Sequence, residues 1–378
     1  MRRLLSLLLL ASLLGACLAP PPPIVVETPF GVVRASSKDK ASEIATLLRR
    51  LAPQVRALLP GSQDRPIDVW VQENLRVYRF QERPKSVRGF TLLSGEFEAK
   101  RIHLQESGQS PWYLAHELVH ALIGPSWHTL PGILEEGLGD VVAEKLNREY
   151  QKHIRAHRLL NASAFTDGVD LTLRYNEPGR SNRRQPRRLW PQTEETVRLR
   201  TQDPVPEGTL LKLLQTPRSE LHQTWTEIPE SFYGLSWLIV SRIEERHGLE
   251  GIHDLCGRAA REGYELVPAE WILEYAQLDA ATLDAAFLRT AFKTEDLHTA
   301  IYLQPDAFAD SLVQALAPMR ERFGFRSFFF NSSAALIAAD GTELQLKYYR
   351  PPLVSRIEKL WGSVADDTAA RQLLLDSP

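Results

Sequence analysis

His116-Glu117-Leu118-Val119-His120, followed by Leu134-Glu135-Glu136-Gly137-Leu138-Gly139-Asp140, is the stretch on which the reading of this chain turns. Trp112 to Ile123 has the apolar spacing of a helix, stopped by Gly124-Pro125. On that helix the two histidines stand four apart, one turn up the same face, so both imidazoles can reach one cation. Glu117 lies beside them, placed to act on a water without ligating the metal. A catalytic metal site of this kind wants three protein ligands and an open fourth position. Ile133 to about Leu159 predicts the next helix, and fifteen residues separate His120 from Glu136, enough for a turn between two adjacent helices.

With these residues the chain resembles the gluzincins, the zinc peptidases that include thermolysin and the aminopeptidase N family. In them a helix after the His-Glu-x-x-His helix supplies a glutamate as third zinc ligand. In aminopeptidase N relatives that glutamate directly precedes a glycine, as Glu136 precedes Gly137. In thermolysin an aspartate four residues on holds a zinc histidine, and Asp140 has that spacing. Chemistry accounts for it: one turn further along the same face, a carboxylate accepts the free N–H of a ligating imidazole, orients it and raises its basicity. The resemblance therefore implies His116, His120 and Glu136 as ligands of Zn²⁺, Asp140 as the partner of His116, and Glu117 as general base. Glu135, about 100° around the helix from Glu136, is expected to point elsewhere. His128 is a competing ligand, although a metzincin pattern would bring its glycine and third histidine sooner. His153 and His157, among Lys152, Arg155 and Arg158, read as a solvated basic face.

The resemblance covers mainly residues 100–145 and more loosely 205–292. Tyr233-Gly234-Leu235-Ser236 opens an apolar helix, Phe232 to His247, capped by Gly248; by resemblance Tyr233 would hold the oxyanion, while a tyrosine buried at a helix start is the plainer alternative. The Gly-x-Met-Glu-Asn motif of aminopeptidase N enzymes is absent, since the methionines are Met1 and Met319. Gly139 stands where many relatives have alanine. The fold class implied is α+β, a thermolysin-like zincin with a strand-bearing N-terminal subdomain over residues 30–110 and a helical C-terminal subdomain. Arg101 to Leu104 is the expected edge strand for an extended peptide.

The remaining sequence sets the context. The chain has 378 residues and a formal net charge of −2, with no attraction to nucleic acid implied. Arg2 and Arg3 precede an apolar run from Leu4 to Leu14, of signal-peptide length and too short to span a bilayer. Leu14-Gly15-Ala16-Cys17 resembles the bacterial lipobox, which implies a lipid on Cys17, a membrane anchor and a place in the bacterial cell envelope. Pro20 to Pro23 would act as a stiff spacer. With Cys17 acylated, the other cysteine, Cys256, is left as a free buried thiol. The expected division is a signal peptide with lipobox (1–17), a Pro-rich linker (18–29), a gluzincin-like peptidase domain (30–298) and an appended α/β region (299–378). Residues 161–206 read as a long irregular insertion. A peptide or protein is the expected substrate; the alternative is a catalytically inactive zinc-binding lipoprotein serving as a binding or scaffold module.

Overall fold

The computed structural model describes residues 19–345 apart from 79–80, 83–87, 96, 107–109, 150, 167, 177–191, 200–202, 225–227, 279–293, 304, 316–334 and 338–340. Cys17, the expected signal segment and everything after 345 lie outside the described residues. The chain is α+β and divides into two compact units whose sequences interleave. The first takes residues 1–150, 214–225 and 240–272; the second takes 151–213, 226–239 and 273–378.

The first unit is built on a five-stranded sheet in the order β1-β2-β3-β7-β6. Its strands are β1 (Ile24–Thr28), β2 (Gly31–Ala35), β3 (Ile67–Gln72), β6 (Gly89–Gly95) and β7 (Glu98–Gln105). A small separate ribbon joins β4 (Arg76–Tyr78) to β5 (Gln81–Glu82). β1 corrects the expected linker of residues 18–29. The β-branched run Ile24-Val25-Val26 pairs antiparallel with β2 across a turn in which Thr28 Oγ1 donates to Gly31 O at 2.9 Å. Gly31 there has φ +137°, open to glycine alone.

The first helix, α1 (Lys38–Leu58), crosses from β2 to β3, which run parallel. Ser37 caps it by accepting from Lys40 N. Its buried stripe is Ala41, Ile44, Ala45, Leu48, Leu51, Ala52 and Val55, the spacing expected of an amphipathic helix. Ile44, Leu48 and Leu51 are fully buried, worth about 1.5–3 kcal/mol each over leaving them in water.

β7 lies inside the sheet, parallel to β3 on one side and antiparallel to β6 on the other. The expected edge strand, Arg101 to Leu104, is therefore interior, and the sheet order ends at β6. The hydrophobic alternation of two neighbouring hairpin strands is the same, so sequence does not say which is outermost.

Two helices follow the sheet: α2 (Ser110–Leu122) and α3 (Gly132–Leu146). Every residue of α3 from Gly132 to Glu144 is buried, so this helix is enclosed on all sides. The single helix expected from Ile133 to Leu159 is two. α3 ends at Asn147, whose side chain donates to Ala143 O at 2.8 Å, and Gln151–Ala162 begins a separate helix in the second unit. The last carbonyls of α2 all find donors. Ile123 N donates to Val119 O, and Gln63 uses its backbone N for Leu122 O and its side chain for Ile123 O. Arg65 forks onto Ala121 O at 3.0 and 2.7 Å, and Arg218 Nη2 donates to His120 O at 3.3 Å. Two guanidiniums at the negative end of the helix also suit its dipole. Cys256 is fully buried in this unit as a free thiol, and burial pushes its pKa up to about 12.

The second unit has its own sheet, β9-β8-β10-β11. β8 (Val169–Asn176) and β9 (Gln192–Leu199) pair antiparallel along their whole length, so residues 161–206 are not an irregular insertion. Leu171 and Leu173 point inward, while ion pairs Arg198–Asp170 and Arg174–Glu194, each at 2.6 Å, decorate the outside. Those charges masked the alternation. β10 (Ala335–Ile337) pairs with β8 and turns back into β11 (Glu343–Gln345), with Gly341 at φ +81° in between, as Asp340-Gly341 predicts. The described part of 299–378 thus completes this sheet and is no appendage to a domain ending at 298. The helix Glu230–Glu262 bends at Gly248 (φ 67°, ψ 177°), where a cap was expected. Residues up to 239 belong to the second unit, and there a Cβ on Gly234 would lie 2.4 Å from Ala162 N. No helix among the described residues is long and apolar enough to cross a membrane.

Candidate metal centre

The first unit brings His116, His120 and Glu136 together, as the spacing predicts. α2 carries both imidazoles on one face, and α3 presents Glu136 just past its first turn, whose acidic residue is Glu135. The three facing atoms form a near-regular triangle. Nε2 of His116 lies 3.2 Å from Nε2 of His120, and Glu136 Oε2 lies 3.3 and 3.4 Å from them. Bonds of about 2.0–2.1 Å in tetrahedral array put ligand atoms about 3.3–3.4 Å apart, so the triangle has the size of one face around such a cation.

The outer nitrogens explain why the inner ones face one another. His116 Nδ1 is 2.9 Å from Asp140 Oδ1, and His120 Nδ1 is 2.6 Å from Glu135 Oε1. A ring whose Nδ1–H goes to a carboxylate keeps its lone pair on Nε2. In that neutral form three acceptor atoms converge, an arrangement that a cation relieves; without a cation, protons on the two rings take its place. Charge argues the same way. Glu117, Glu135, Glu136 and Asp140 are all buried, and Arg218 is the guanidinium among them. With both imidazoles neutral, as ligation requires, four ionised carboxylates against one arginine sum to −3, and a divalent cation brings these named groups to −1. These three residues are a group that can hold a metal ion.

Asp140 stands where the four-residue step from Glu136 predicts, and it is fully buried. Glu135 does not point elsewhere. It serves His120 as Asp140 serves His116, and its other oxygen receives Arg218 Nε at 2.7 Å. Gly139 permits this closeness: a Cβ there would lie 2.8 Å from His116 Nδ1.

Glu117 is buried on the neighbouring face of α2 beside the edge strand. Thr91 Oγ1 on β6 lies 2.8 Å from its Oε2 and 3.1 Å from its backbone O, so the hydroxyl fixes where the carboxylate points. A Cβ on Gly89 would come within 3.2 Å of the Glu117 side chain. Burial pushes the Glu117 pKa up. For His116, burial works against a charge, but the bonds to Asp140 and Glu136 outweigh it and raise the pKa to about 9. Burial likewise opposes charge on His120, and the nearby Glu136 and Glu135 lift it well above the ordinary histidine value. Burial would raise Glu136, but the charge of His120 and the bond to His116 hold it well below the usual range.

The other candidates are placed as follows. His128 is exposed, with Nδ1 2.9 Å from Pro125 O, and stands outside the group. Tyr233 belongs to the second unit, half-buried, with the Arg158 guanidinium carbon 5.1 Å from its ring centre. Arg158 there is buried and paired with Glu230 at 2.9 Å, so this residue is not solvated as expected; the side chains of Lys152 and His153 lie outside those described. Thr91 and Arg218 carry no signal in the sequence, whereas Glu135, the acidic neighbour of Glu136, is weighed there and expected to point elsewhere. Compared with known protein families, curated proteins and solved structures, the chain matches none of them.

Proposed function

We propose that the chain is a zinc-dependent peptidase of the gluzincin type, with a thermolysin-like arrangement of sheet and zinc helices in its first unit. The observation that carries this reading is the 3.2–3.4 Å triangle of two imidazole nitrogens and a carboxylate oxygen, set beside a buried glutamate that is not part of it. Two nitrogens and one oxygen at that size suit zinc, and three protein ligands leave the open position that catalytic sites keep. Zinc bound there supplies Lewis acidity, polarising a carbonyl and making water a stronger acid. Glu117 takes the proton of the attacking water on its carboxylate and hands it to the leaving amine, a role worth about 10²- to 10⁴-fold. Burial raises its pKa, which makes the carboxylate a stronger base, and Thr91 keeps it aimed. An extended peptide would add to β6, the strand at the end of the sheet order that carries Gly89 and Thr91.

Metal analysis by plasma emission, together with turnover of a casein or reporter-peptide substrate, tests this. One zinc per chain with hydrolysis supports it. Zinc without hydrolysis of any peptide favours the inactive binding module, and absence of zinc ends both. The oxyanion role implied for Tyr233 is read in the same assay, where Tyr233→Phe with unchanged kcat removes it.

The metal-free protein should lose stability as pH rises. His116 has a pKa of about 9 against 6.5 unfolded, so its charged form stabilises the fold fully below about pH 6.5. That contribution disappears as pH passes 9, and the raised His120 acts in the same direction. Zinc displaces these protons, so the gap in Tm between zinc-loaded and chelator-treated protein should widen from pH 6.5 to 9. A gap that is constant or narrows with pH contradicts the proton-for-metal exchange.

The cell-envelope reading belongs to the Leu14-Gly15-Ala16-Cys17 segment. Cys17→Ser should release the protein from membranes, and mass spectrometry of the mature N-terminus should find acyl mass on Cys17. A mature chain starting later, without lipid, would make the protein a soluble exported one.

A further inference from the structure

We propose that Arg218 is a positioning residue of the metal centre: it clamps His120 at both ends, and so sets how tightly the cation is held. The proposal rests on reading His116, His120 and Glu136 as a zinc site. One guanidinium makes both contacts. Its Nε meets Glu135 Oε2 at 2.7 Å, and Glu135 Oε1 lies 2.6 Å from His120 Nδ1. Its Nη2 donates to the backbone carbonyl of the same histidine at 3.3 Å. The imidazole is thus fixed through a carboxylate, and the peptide that carries it is fixed directly.

Arg218 is itself held in place. Thr216 O accepts from Gly132 N at 2.9 Å, and Pro217 bridges to Pro131. A Cβ on Gly132 would lie 2.8 Å from Arg218 Cα, so the arginine backbone rests against the first residue of α3. The Phe97 ring sits 5.2 Å from the guanidinium carbon. The side chain is 12% exposed and that of Glu135 is 5%, so water does little to weaken the pair.

The chemistry of the clamp needs arginine. A planar fork offers several N–H donors in fixed directions, and two of them here meet acceptors on different helices. A lysine ammonium keeps the charge but reaches either Glu135 or the carbonyl. Without the guanidinium, Glu135 is a buried carboxylate next in sequence to the carboxylate of Glu136. It is then free to turn away from His120, and the imidazole loses the partner that selects its Nδ1–H form.

The test uses the full chain and zinc itself. Affinity is measured by competition with a chromophoric chelator for wild type, Arg218→Lys, Glu135→Gln and the double variant. The visible absorption of the cobalt-substituted proteins reports the geometry at the metal. Each single change should weaken zinc binding roughly 10- to 100-fold, the usual effect of removing a group that orients a ligand. The cobalt spectrum should change as well. Because both act through His120, the double variant should lose much less than the product of the two. Wild-type affinity and an unchanged cobalt spectrum in Arg218→Lys overturn the proposal and leave the zinc site standing. If Arg218→Lys does not fold, Glu135→Gln decides alone, and wild-type affinity in it is equally fatal. A wild type that binds no zinc removes the zinc site and this inference together.

Discussion

Glu117→Gln is expected to abolish peptide hydrolysis while keeping zinc and fold. Glutamine has the shape of the native side chain and can still accept from Thr91 Oγ1, which now fixes the Glu117 carboxylate at 2.8 Å. The neutral amide removes a buried negative charge without touching the triangle of ligand atoms. What it cannot do is take a proton from water. The loss should reach the 10²- to 10⁴-fold that a general base contributes, seen in kcat, with metal content by plasma emission unchanged. Near wild-type turnover by this variant would refute the role of Glu117 as general base.

His120→Ala is expected to empty the metal site. The change deletes one corner of a triangle whose edges are 3.2 and 3.4 Å at that atom. It also leaves Glu135 with Arg218 as its remaining partner here. Affinity should fall further than the roughly 10- to 100-fold expected for Asp140→Asn, which keeps all three ligands and loses only the carboxylate charge behind His116. Dialysed proteins assayed for zinc should rank wild type first, Asp140→Asn second and His120→Ala last. Full zinc retention in His120→Ala would sink the ligand assignment.

The parts of this site that could be read in the sequence are those governed by helical spacing. His116 and His120 share a face because they are four apart, and Asp140 follows Glu136 for the same reason. Glu135 was set aside because its direction was judged relative to Glu136 alone. The structure shows two adjacent carboxylates meeting opposite sides of one imidazole: Glu136 at Nε2 and Glu135 at Nδ1. Thr91 and Arg218 were invisible for another reason. They reach α2 from sequence separations of 26 and 98, and no periodicity encodes such a meeting. The sheet behaves alike. Alternation places strands at 67–71, 89–93 and 101–104, but it does not give their order in space, and the edge expected at Arg101 to Leu104 belongs to β6. β8 and β9 do not show in the sequence because the charges Glu194, Glu195 and Arg198 outnumber the apolar residues on β9, although they are what a half-solvated antiparallel strand carries.

The lacing of the carbonyl end of α2 bears on when the site can exist. Ala121 is bonded by a residue 56 positions upstream, and His120 by one 98 positions downstream. A chain emerging N-terminus first has made both histidines, Glu135 and Glu136 long before residue 218, and residues 240–272 of the same unit come later still. Contacts of such separation close slowly, because a long loop must be ordered before they contribute. A nascent chain can therefore gather the ligands early, but it assembles the finished centre only near the end of its synthesis. The same lacing ties the integrity of the site to segments distant along the chain, which part only in a sub-global opening.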